Sequence, residues 1–136
     1  MAIKHIILCL IIFRWSSSTA FFASLVKHPY TVTGVNAVVK FEDARVNRGQ
    51  GYNPSTGVFT APRKGLYHIS CLILGMTGND MHYQLNKNDA VYTNGYVSKA
   101  LVDMKKGDRL FIKNNSRSVQ IHGAHYSTFS GYFFQE

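Results

Sequence analysis

Residues 41–71 read FEDARVNRGQGYNPSTGVFTAPRKGLYHISC, and an Asn, a Gly and four aromatic residues punctuate them: Phe41, Asn47, Tyr52, Phe59, Gly65 and Tyr67. Asn53-Pro54-Ser55-Thr56-Gly57 is a run of turn formers between two of those aromatics. Beyond Gly65 the odd positions Tyr67, Ile69, Cys71 and Ile73 are apolar, which is the period of a strand. Leu66, Leu72 and Leu74 make the opposite face apolar as well. A sandwich strand with one wet face alternates cleanly, so apolarity on both sides predicts that both are covered. The simplest cover for the second face is another copy of the chain.

Outward from this stretch the pattern persists. Short runs of alternating apolar and polar residues are bounded by Gly, Asn, Asp and Pro, with no convincing helical period. Strands are predicted near Ala20 to Lys27, Val38 to Phe41, Val58 to Thr60, Gly65 to Leu74, Met81 to Lys87, Ala90 to Thr93, Tyr96 to Met104, Arg109 to Asn114, Val119 to His122 and Thr128 to Phe134. The fold class is therefore all-β. Asn88-Asp89, Asn94-Gly95 and Lys106-Gly107-Asp108 supply turn chemistry at the borders. The last strand repeats the two-sided pattern, with Phe129 and Phe133 on one face and Tyr132 and Phe134 on the other.

Residues 1–20 read as a cleaved signal peptide. Lys4 and His5 start it, Ile6 to Phe13 is an apolar run, and Ser18-Thr19-Ala20 offers small residues before the cut. Such a run is too short for a hydrocarbon core that needs about 20 residues, so no membrane anchor is expected. Residues 21–136 then form one domain, secreted and extracellular. Loss of Cys9 leaves Cys71, which cannot form an intrachain disulfide and reads as a buried small hydrophobe, or less readily as an interchain bridge.

The full chain carries a formal net charge of +8. Lys105, Lys106, Arg109, Lys113 and Arg117 crowd one window. That field either attracts acidic glycans and phosphate-bearing surfaces or simply keeps the domain soluble. No nucleic-acid-binding motif accompanies it.

The spacing from Phe41 to Tyr67 resembles the signature of the C1q globular-head family, relatives of the tumour-necrosis-factor jelly rolls. Further landmarks follow in order: Ala20-Phe21-Phe22-Ala23-Ser24 as an opening strand, Lys87-Asn88-Asp89 as a hairpin, Lys106-Gly107-Asp108 as a turn, and Thr128-Phe129-Ser130-Gly131-Tyr132-Phe133 as the closing strand. Ile69, Cys71 and Asp89 depart from the usual residues. The resemblance implies a ten-stranded jelly-roll sandwich that assembles as a homotrimer, with Leu66, His68, Leu72, Phe129 and Phe133 at the interface. It also allows calcium, although seven acidic residues make no evident oxygen cage. No collagen repeat or heptad pattern precedes the domain, so it is expected to lack a stalk.

No catalytic motif is present, and the chain is read as a non-enzyme. His122 and His125 have a spacing that could offer two metal ligands, yet no acidic residue or Cys lies near them in sequence, so no metal is assigned. If copies gather around an axis, protonated His68 side chains would repel one another. Asn114-Asn115-Ser116 is a glycosylation sequon at Asn114. Arg117, Ser118, Gln120, His122, His125 and Tyr126 combine cationic, hydrogen-bonding and aromatic groups, the chemistry needed to hold an acidic sugar.

These readings lead to a secreted pattern-recognition or lectin-like protein of innate immunity that binds anionic glycans or microbial surfaces. The alternative is a cerebellin-like or tumour-necrosis-factor-like ligand for a protein receptor.

Overall fold

A computed structural model describes residues 18–78, 82–95, 99–115 and 117–136. Among them the regular structure is twelve strands: β1 (Ala20–Ser24), β2 (Tyr30–Val32), β3 (Asp43–Arg48), β4 (Tyr52–Asn53), β5 (Val58–Thr60), β6 (Gly65–Leu72), β7 (Tyr83–Lys87), β8 (Ala90–Asn94), β9 (Ala100–Met104), β10 (Arg109–Asn114), β11 (Val119–Ile121) and β12 (Thr128–Gln135). Ten of these make two five-stranded sheets, ordered β3-β1-β12-β6-β9 and β4-β5-β10-β7-β8, while β11 and β2 pair separately. The pairings are antiparallel. This is the expected jelly roll, with its core between the large sheets.

The spacing of the opening stretch has a packing cause. The Tyr52 hydroxyl donates to the Phe41 carbonyl at 2.8 Å and accepts the Phe41 N–H at 3.1 Å. Asn47 closes the β3–β4 turn: its Nδ2 donates to the Tyr52 carbonyl at 2.7 Å, and its Oδ1 accepts the Tyr52 N–H at 3.0 Å. Phe21 stacks on Tyr52 and on Phe59 at 5.2 and 4.6 Å, and meets Phe129 edge-on at 5.0 Å. Phe59 in turn meets the edge of Tyr67 at 5.6 Å. Such pairs add about 0.5–1.5 kcal/mol each beyond their burial. Burial also raises the pKa of the Tyr52 phenol, so it stays protonated and keeps its donor. Gly131 makes the crowding feasible, because a Cβ there would lie 2.6 Å from Ile69 and 2.8 Å from Phe21.

Several expectations are revised. Val38 to Phe41 is not a named strand, although Val38 forms an isolated bridge with Lys113 and the Val39 N–H donates to the Ile112 carbonyl at 2.9 Å. Three strands escaped the pattern reading: β2, β3 and β4. In the β7–β8 hairpin the left-handed residue is Asn88 (φ 53°). Met81 and residues 96–98 of two predicted strands lie outside the described residues, as does the expected leader through residue 17. Ala20 belongs to the sheet, however, and Thr19 is bonded to it. The Thr19 carbonyl accepts the Phe133 N–H at 3.0 Å, and Ala20 pairs with both Tyr132 and Arg48.

Candidate functional site

Strand β11 positions most of the residues singled out from sequence. Val119 and Ile121 are buried, so Gln120 between them faces solvent. Upstream, Asn114 organises the turn: its Nδ2 donates to the carbonyls of Gly34 and Arg117 at 3.1 and 3.2 Å. Asn114, the residue of the candidate sequon, is fully buried. Ser118 Oγ accepts the Gly34 N–H at 3.0 Å, and Arg117 is exposed.

Downstream, the loop 122–127 is pinned against the end of β1. Ala124 and His125 donate their N–H groups to the carbonyls of Val26 and Leu25 at 3.0 and 2.8 Å, and both have left-handed backbones. Ser127 Oγ donates to the His122 carbonyl and accepts the Leu74 N–H. A Cβ on Gly123 would overlap the Lys27 carbonyl, so only glycine fits that position.

This backbone sends the two histidines apart. The His122 ring stacks on His28 with centroids 5.1 Å apart, and Tyr126 meets it edge-on at 6.1 Å. His125 turns instead to β1 and β3, with its Nδ1 at 2.8 Å from Ser24 Oγ and 3.8 Å from Asp43 Oδ2. Arg45 pairs with Asp43 at 2.8 Å and approaches the same ring. The predicted patch thus divides in two. Arg117, Ser118 and Gln120 lie toward one end of β11, and His122, His125 and Tyr126 lie beyond the other. Sequence reasoning missed His28, Ser24, Asp43 and Arg45, which join the second group from 80 or more residues away along the chain. No local pattern carries that information.

The arrangement limits the chemistry. A Ser-His-Asp relay needs the hydroxyl and the carboxylate on opposite ring nitrogens. Here both approach Nδ1 of His125, and Ser24 is buried. For a metal, His28 and His122 are the nearest pair, but His28 Nδ1 already accepts the Gly123 N–H at 3.2 Å, which places the proton of the neutral ring on Nε2. No group of three or more His, Cys, Asp or Glu that could hold a metal ion is found among the described residues. Cys71 is buried and free, and burial pushes the pKa of its thiol up, so it is neither a thiolate ligand nor an accessible bridge.

The outer face of the first sheet is the other candidate surface. Register aligns Arg48, Ala20, Tyr132, His68 and Leu101 in one row and Val46, Phe22, Ser130 and Ser70 in the next. Phe22, Val46, Leu72, Leu101 and Tyr132 are exposed large hydrophobic residues, and the His68 ring stacks on Tyr132 at 5.0 Å. Of the five residues expected at an interface, Leu66, His68 and Leu72 are on this face. Phe129 is fully buried in the protomer, and Phe133 packs inward on Tyr67 with Arg63 over its ring at 3.9 Å. Both belong to the core, because residues 129 and 133 share the inward parity of β12.

Residues 20–134 match the family model of the C1q domain. The chain belongs to the C1q domain family. This C1q-domain protein is 29% identical over 130 residues to the heavy metal-binding protein HIP of the mussel Mytilus edulis, covering 86% of this chain and 61% of that relative. The chain therefore spans under two thirds of the mussel protein's length. Among solved structures it is similar to the globular domain of zebrafish complement 1qA, with TM-score 0.66 and 17% identity over 87% of this chain and 99% of the other. It is also similar to Eiger TNF from S. frugiperda, with TM-score 0.72 and 14% identity over 88% and 94%. At those identities the likeness is one of fold. No helix among the described residues is long and apolar enough to cross a membrane.

Proposed function

We propose that this C1q-domain protein is a secreted homotrimer that recognises anionic glycans on microbial or cell surfaces, by binding rather than by catalysis. The observation that carries the reading is the aromatic and cationic cluster at the end of β11. Tyr126 is 60% exposed and stands beside the His28–His122 stack, Lys27 is exposed and adjoins His28 in the chain, and Arg45 is exposed beside His125. An aromatic ring covers the apolar face of a sugar, and the cations answer its carboxylate or sulfate. One such site is shallow. Three on one assembly act together at high effective concentration, and the exposed apolar outer face of the β3-β1-β12-β6-β9 sheet supports that assembly.

Binding of the intact protein to a glycan array and to whole microbial cells tests the reading. Acidic glycans are expected to bind and their neutral analogues to be blank, with signal lost in Tyr126→Ala. A blank array and blank cells for an intact trimer would overturn it. Heavy-metal binding, the property in the mussel relative's name, has less support here, since the His28–His122 pair has one ring nitrogen occupied by a backbone N–H.

A further inference from the structure

A groove of about 470 Å³ opens between β2 and the residues that follow it, within the size range of small-molecule sites. Tyr30, Thr31, Val38, Lys40, Ser55 and Thr56 contribute to its walls. Backbone geometry makes these walls unusual. The Gln120 carbonyl accepts the Met76 N–H and the His122 N–H donates to the Leu74 carbonyl, so Gln120 directs its main-chain groups away from β2. Gln120 opposite Thr31 is therefore the non-hydrogen-bonded pair of the β11–β2 ladder. Thr31 turns its N–H and carbonyl away from β11, toward the groove.

The far wall has the same property. Val39 N–H donates to Ile112 and the Ala37 carbonyl accepts from Asn114, so residues 37 and 39 face β10. Val38 between them directs its N–H and carbonyl to the groove side. Neither Thr31 nor Val38 spends these groups on a protein partner among the described residues. The Tyr30 hydroxyl accepts the Lys40 N–H at 3.1 Å and retains its own proton to donate, since burial raises its pKa. Thr31, Thr33, Ser55 and Thr56 add hydroxyls, and Lys40 adds an ammonium group. No carboxylate lines the groove. Lys113, opposite Val38 in the isolated bridge, adds a second cation nearby.

The two walls are joined by the short loop 33–36 at one end and by the Tyr30–Lys40 hydrogen bond at the other. An extended peptide would need both ends open, so the groove suits a compact ligand. We propose that it is a binding site for one acidic sugar unit, whose hydroxyls exchange hydrogen bonds with the Thr31 and Val38 main chains and whose carboxylate meets Lys40. The proposal deepens the glycan reading and rests on it, adding to the Tyr126 cluster a second contact point, beside β2, for an acidic unit of the same glycan.

The test is amide chemical-shift mapping of the full mature domain by NMR, titrated with glucuronate, N-acetylneuraminate, glucose and acetate. The acidic sugars are expected to shift the amides of Thr31, Val38 and Lys40, while glucose and acetate leave them unmoved. Lys40→Gln is expected to weaken acidic-sugar binding about tenfold, the scale of one charge-assisted hydrogen bond. Thr31→Trp, at an exposed strand position that tolerates aromatics, is expected to abolish it without lowering Tm. Shifts confined to residues 117–126, or binding that survives both variants, would overturn the groove and leave the glycan reading standing. An equal response to acetate would overturn the groove as a sugar site. No shift with any saccharide would remove both.

Discussion

The two faces of the β3-β1-β12-β6-β9 sheet are built from similar side chains and meet different fates. On the inner face Phe21, Tyr67, Ile69 and Phe129 are enclosed by the second sheet. On the outer face Phe22, Val46, Leu101 and Tyr132 stay exposed. Adjacent residues of one strand, Phe21 and Phe22, fall on opposite sides of this divide. Hydrophobic side chains on the first face are committed to folding. Those on the second are available for association, since large apolar side chains gathered on one exposed face are the kind of feature that marks an interaction surface.

If the division holds, substitutions on the two faces separate stability from assembly. The largest effect is expected for Phe129→Ala. Removing a fully buried Phe costs about 3–5 kcal/mol, a large share of a small domain's stability. Urea denaturation should show a strongly lowered midpoint or no folded baseline, and a midpoint near wild type would break the assignment of Phe129 to the core. Leu101→Glu is expected to do the reverse. The residue is 56% exposed, so the isolated fold should retain its strand signal in circular dichroism while light scattering shows the mass of a single chain. Loss of the fold in this variant, or an unchanged mass, would erase the contrast between the faces.

How the sequence encoded this sheet depends on the range of the interaction. Two-sided apolarity in Leu66 to Leu74 was legible, because a strand's parity lies in adjacent residues. Which face met the partner sheet was less so for β12. The pairing of Phe129 with Cys71 and of Gly131 with Ile69 fixes the parity, and it is a contact between distant segments. Strand β3 went unread because its only apolar residues, Ala44 and Val46, are set among Asp43, Arg45, Asn47 and Arg48 and make too short an alternation to stand out. It is held by pairing with β1, and its Asn47 acts through side-chain bonds to Tyr52. The candidate site was legible as composition around β11, whereas its division by a left-handed turn at Ala124 and His125 was not. Nothing local marks Ala124 for a positive φ, and the enrichment of histidine there is too weak to mark His125.

A smaller effect tests where the sheet begins. A mature chain starting at Phe21 lacks the Thr19 carbonyl that accepts the Phe133 N–H, and it lacks Ala20 between Tyr132 and Arg48. Relative to a chain starting at Ser18, it is expected to lose about 1 kcal/mol, the scale of one intramolecular hydrogen bond. Thermal melts of the two chains check this. Equal Tm values would mean that the edge of the outer row contributes nothing to folding, which would sharpen its assignment to assembly.

The smallest effect comes from a residue on neither face. Asp108 sits in the turn joining β9 to β10. Its Oδ2 accepts the Lys105 N–H at 2.8 Å, its Oδ1 accepts from Asn88 Nδ2 at 3.2 Å, and Lys87 Nζ is 3.8 Å away. The Lys105 N–H first, then the Asn88 amide, hold its carboxyl below the ordinary aspartate value. A carboxylate whose pKa is lowered by folding contributes stability that is complete above the unfolded value near 4 and is lost as pH falls through the folded one. Asp108→Asn keeps an acceptor for Lys105 and removes the charge. At neutral pH this variant should melt a few degrees below wild type, and the gap should close as the pH is lowered below 4. Its assembled mass should not change, since Asp108 touches neither face of the sheet. A mass that falls with the variant would show that the β9–β10 turn positions Leu101 on the outer face, and the two faces would then be coupled through the edge strand they share.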